Sequence, residues 1–152
     1  MTCRLIALLL SLFLALPAAA NPALETVVAD NLDQIQHPSR RTVEPVVARI
    51  AATGPEGLAL LSAWVDRALG LADGRLVIVT GDGATDAVTG QAVTGAKPKM
   101  LRPNAGVRGV IESALVAGEI ASPDPARRAA ALASIARDGT AAHLAALRAA
   151  AP

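Results

Sequence analysis

After residue 20 this chain has a single large aromatic residue, Trp64; its one phenylalanine, Phe13, lies earlier, and it has no tyrosine. A core for residues 21–152 must therefore be assembled from Leu, Val, Ile and a great deal of Ala. Small side chains let helices approach closely, but each removes little area from water, at about 25 cal/mol per Å². These residues amount to one ordinary domain, and the pattern predicts a mainly helical fold of modest stability.

The opening segment reads differently. Met1-Thr2-Cys3-Arg4 precedes an apolar run from Leu5 to Leu16, then Pro17 and Ala18-Ala19-Ala20. A basic start, a short apolar stretch and an A-x-A site make a secretory signal, with Ala18 and Ala20 flanking a cut before Asn21. The run falls short of the roughly 18 apolar residues of a membrane-spanning helix; the alternatives are an uncleaved anchor or a buried helix. Export places the remainder in the periplasm or at the outer face of the inner membrane. With Cys3 in the leader, that remainder has no disulfide, thiolate nucleophile or cysteine metal site. Its basic and acidic residues balance once Arg4 is set aside, which argues against a general nucleic-acid binder.

Along the domain, helical periodicity gives way to a β segment and then returns. Asn21 caps a helix with Pro22 at its first position and Leu24, Val28, Leu32 and Ile35 at helical spacing. Thr42 is placed as the cap of a second helix carrying Val43, Val46, Val47 and Ile50. After Thr53-Gly54-Pro55, a third carries Leu58, Leu61, Trp64, Val65 and Leu69, ending at Gly70. Arg75–Thr80 is β-branched and bounded by glycines, and so reads as a strand. Gly81-Asp82-Gly83 is a turn, Gln91–Thr94 a second short strand, and Lys97–Pro103 an extended exposed connector. Asn104 caps a helix with Val107, Ile111 and Leu115 on one face. Asp124 and Pro125 open another, anchored by Leu132 and Ile135, and Gly139-Thr140 turns into a last helix carrying Leu144 and Leu147.

A faint repeat supports a helical-hairpin plan. A shift of 85 residues superposes Pro38 on Pro123, Ile50 on Ile135 and Gly54 on Gly139. The expected fold is mainly α, with HEAT-like helical hairpins and a small irregular β-hairpin insert at about residues 73–101.

Motifs for chemistry are sparse. Gly90–Lys97 is a near miss to a phosphate-binding loop: Ala96 separates Gly95 from Lys97, and Pro98 blocks the helix that should follow. Asp82 and Asp86 lack the alternating ligands and closing Glu of an EF-hand. His37 and His143 stand apart, short of a zinc set. No G-x-S-x-G elbow occurs. No catalytic residue, cofactor, metal or nucleotide is assigned, and the chain is read as non-enzymatic. Lys97, Lys99, Arg102 and Arg108 form a basic cluster suited to lipid headgroups, to an acidic partner, or simply to a solvated flank.

Four blocks carry a family resemblance: Asp73-Gly74-Arg75-Leu76, Asp86-Ala87-Val88-Thr89-Gly90, the Arg102, Asn104 and Arg108 segment, and Ser122-Pro123-Asp124-Pro125 with Arg128. Their order behind a signal peptide resembles the extracytoplasmic N-terminal domain of urea ABC transporter permease subunits, in the branched-chain amino acid permease superfamily. The likeness spans nearly all of residues 21–152. It implies a truncated or split permease subunit with a docking or scaffolding role in urea import. The implied partners are the transporter membrane subunits and a periplasmic binding protein, with Arg102, Asn104 and Arg108 as partner contacts. This chain departs from the family in a shorter Arg75–Asp86 stretch, in Ala105 and Gly106 where polar residues are expected, and in ending at Pro152 without a membrane domain. A free-standing periplasmic helical-repeat adaptor is the alternative.

Overall fold

The computed structural model describes residues 21–81, 83–137, 139 and 141–150. Ala18 and Ala20 of the expected cleavage site, and Asp82 and Thr140 of the expected turns, lie outside the described residues. Three helices come first: α1 (Pro22–Gln36), α2 (Glu44–Ala52) and α3 (Pro55–Val65). A four-stranded antiparallel sheet follows, made of β1 (Leu69–Ala72), β2 (Arg75–Thr80), β3 (Gly83–Asp86) and β4 (Lys99–Met100), in the order β3-β2-β1-β4. Helices α4 (Ala105–Ile120), α5 (Pro125–Arg137) and α6 (Ala141–Ala150) complete the chain. The protein is mainly helical with a small antiparallel sheet.

Three helix caps form as the sequence predicts, at Asn21, Asn104 and Asp124. Asn21 accepts the Leu24 N–H at 3.1 Å, and its amide also donates to the Thr53 carbonyl at 2.9 Å, tying the start of α1 to the α2–α3 turn. Asp124 accepts the Ala126 N–H at 2.8 Å at the start of α5. The cap of α2 is Val43 rather than Thr42, without a side-chain bond. Here the Ser39 carbonyl gathers the Thr42 and Val43 N–H groups and draws Thr42 into the preceding turn.

The third helix ends earlier than its periodicity predicts. Arg67 adopts a φ of 61°, Ala68 N–H donates to the Ala63 carbonyl at 2.8 Å and Arg67 N–H to the Trp64 carbonyl at 3.2 Å. That pair of bonds is a Schellman termination. It frees Leu69–Ala72 to pair with β2, Leu69 opposite Ile78 and Ala72 opposite Arg75. Asp73 and Gly74, both at positive φ, make the two-residue turn that matches hairpin twist.

The sheet is accordingly larger and more regular than the expected hairpin. The second strand beside β2 is Gly83–Asp86. The Gln91–Thr94 segment contributes only a bridge from Ala92 to Thr85. The expected connector holds β4, which pairs with β1 through Gly70 and Met100. Gly70 must remain glycine there, because a Cβ would lie 2.8 Å from Pro98 Cβ.

One core joins the helices to a single face of the sheet. Leu24, Ile35, Val46, Ile50, Leu61 and Trp64 are fully enclosed with Leu69, Leu76, Val107 and Ile111. Helix α4 lies at the centre, touching α2, α3, α5 and α6. Helix α5 buries less than the helices before it. Leu132, expected as an anchor, is 47% exposed and Leu144 is 49% exposed. Ala131 is the residue α5 buries, and Ile135 is half-buried. Stacking α5 on α4 through Ala131 turns Leu132 outward by one helical step of about 100°.

Candidate functional site

The chemistry-bearing candidates are spent locally. Asp86 is buried, and its carboxylate accepts the Val88 N–H at 3.0 Å and the Thr89 N–H at 2.9 Å. Its own backbone carbonyl receives the Gly90 N–H at 2.9 Å. The Asp-Ala-Val-Thr-Gly block is thus a self-closed turn with its acidic group turned inward on the backbone. His37 caps the end of α1 on the surface, with Nδ1 3.2 Å from Asp33 Oδ1. Among the described residues no three His, Cys, Asp or Glu side chains group as metal ligands. No described helix is long and apolar enough to cross a membrane.

The three residues expected to contact a partner share the N-terminal end of α4 but hold different positions there. Asn104 is the helix cap, accepting the Val107 N–H at 3.0 Å; this is the bond that starts α4. Arg108 reaches Glu112 one turn on, Nη2 to Oε1 at 3.4 Å. Its Nε is buried without a partner among the described residues. Arg102 is exposed and makes no side-chain bond there. A fourth residue, which the sequence did not single out, joins them. Arg40, from the α1–α2 connection, lays its stem on Gly106, so that a Cβ at Gly106 would stand 2.9 Å from Arg40 Cδ.

Beside this end of α4 runs a groove of about 840 Å³. Its floor is the small-residue side of α4, including Gly106, Gly109, Ser113 and Ala117; Val47 and Ala48 of α2 form one wall and Ala146 of α6 contributes from the other side. Arg40 and Glu44 stand at its rim. Both are exposed, and neither makes an ion pair among the described residues. Gly109 leaves real space, since a Cβ there meets nothing within 4 Å. The floor arises because Ala105, Gly109, Ser113 and Ala117 recur every four residues and so share one face. This signal stands in the sequence. The inward face of Val107 and Ile111 was legible too; what the sequence did not show is that α2 and α6 leave the small side open between them.

No known family model, no curated protein and no solved structure matches the chain.

Proposed function

We propose that this protein is an exported, non-catalytic docking domain of a urea-type ABC permease assembly, and that its groove along α4 receives a helical segment of a membrane subunit. The groove is the observation that carries the reading. It is open, mostly apolar and floored by residues small enough to let a helix backbone approach, the geometry of helix-in-groove recognition. The four resemblance blocks support the assignment to urea import. Two of them fold as compact local motifs, the Asp73-Gly74 hairpin turn and the Asp86–Gly90 turn.

The HEAT-like plan belongs to the same reading. Pairs α2–α3 and α5–α6 each place a glycine, Gly54 or Gly139, between two helices, and both pairs pack on α4. In this reading they are two related helix–Gly–helix units that share a central helix.

Deletion of the gene in its host, followed by uptake of labelled urea, tests the function. Loss of high-affinity uptake, restored by the intact gene, is the expected result. Unchanged uptake would refute the transport role and favour a free-standing periplasmic adaptor.

A further inference from the structure

We propose that the surface around the N-terminal end of α4 binds the headgroups of an anionic phospholipid bilayer. Two segments distant in sequence meet there, residues 37–43 and 97–108, joined where the Arg40 stem covers Gly106. Between them these two segments carry Arg40, Arg41, Lys97, Lys99, Arg102 and Arg108, six of the chain's 14 lysines and arginines. From Ala87 to Ile111 the sequence has no acidic residue.

The opposing charges at this end are few. Glu112 engages Arg108, Glu44 lines the groove with Arg40, and Asp33 meets His37 at 3.2 Å. The other five cations are exposed, and their side chains make no hydrogen bond or ion pair among the described residues. The first turn of α4 carries no acidic residue, so the positive end of that helix dipole adds to the same field.

The arrangement favours a surface over a small ion. The five free cations are all exposed and lie along two chain segments instead of converging on an enclosed cavity. Such an array matches many phosphates spread in a plane, to which each nearby Lys or Arg adds attraction. This inference is independent of the identity of the docking partner.

Co-sedimentation of the full chain with vesicles tests it. Vesicles of phosphatidylglycerol in phosphatidylcholine are compared with pure phosphatidylcholine, at low and high salt. Any contribution from the apolar leader is common to both lipids and to all variants, so the difference between lipids is the readout. The expected result is binding selective for phosphatidylglycerol that falls as salt screens it. The double variant Arg41→Gln/Arg102→Gln should weaken it roughly 10- to 30-fold. Arg127→Gln should leave it unchanged, because Arg127 lies at the opposite end of α4, 3.7 Å from Glu119. Equal binding to both vesicles would overturn the proposal, as would equal loss in Arg127→Gln. Full competition by inorganic phosphate would identify a single-anion site instead. Selective binding of poly-glutamate without vesicle selectivity would identify an acidic protein as the partner.

Discussion

Arg67 occupies the one helix-ending position at which glycine is the usual residue. Its φ of 61° carries the cost of placing a Cβ in the left-handed region, about 1–2 kcal/mol for an L-residue. Glycine recovers that cost but adds freedom to the unfolded chain. Arg67→Gly is therefore predicted to stabilise the protein by about 0.5–1 kcal/mol. Urea unfolding followed by the fluorescence of Trp64 measures this directly. At the other end of the range, Asn21→Ala removes the cap bond to Leu24 and the tie to Thr53, with an expected loss of about 1–2 kcal/mol. The two residues also mark how far single positions can be read. Asn21 followed by Pro22 announces a helix start in the sequence alone. Arg67 announces nothing, because its left-handed backbone is imposed by the pairing of β1 with β2. The periodicity of α3 consequently ran on through Leu69.

Elements differ in how tightly they are held, and glycines show where. At Gly57 a Cβ would stand 1.9 Å from the Ile50 carbonyl oxygen, a backbone atom that cannot swing aside. Gly57→Ala should force α2 and α3 apart and cost about 3 kcal/mol, measurable in the same unfolding experiment. Helix α5 behaves otherwise. Ala131 is the residue it buries, so little apolar area opposes its opening. Hydrogen exchange is expected to be faster across residues 128–137 than across 107–115 of α4, whose Val107 and Ile111 are fully enclosed. Equal protection of the two stretches would contradict this account of the packing. At this scale the helices were largely legible, since Leu24, Val28, Ile35, Val107 and Ile111 all turn inward as their spacing demands. The sheet was half legible. Arg75–Thr80 stood out by its β-branched run, whereas Leu69–Ala72 and Lys99–Met100 have no such signature and become strands through their partners.

The molecule as a whole is organised around α4. One side of that helix enters the core with Val107 and Ile111; the small-residue side floors the groove; its N-terminal end gathers the arginines. The sequence showed the basic cluster and the cap at Asn104, but neither Arg40 nor the groove. Both depend on the α1–α2 connection folding back over Gly106, a contact between residues 66 positions apart (40 and 106). The proposed occupant of the groove is a helix of a membrane subunit, and Gly109 offers the cleanest test of it. An added Cβ there meets nothing within 4 Å, and replacing the glycine gains helix propensity of up to about 1 kcal/mol, yet a leucine side chain fills the groove. The decisive measurement is the dissociation constant of the full chain, as wild type and as Gly109→Leu, for the urea permease core of its host held in lipid nanodiscs. Measurable binding by the wild type and at least a tenfold loss in Gly109→Leu, about 1.4 kcal/mol, are expected, with the unfolding midpoint unchanged or raised. Equal affinity of the two proteins, or no binding by either, would contradict the proposal.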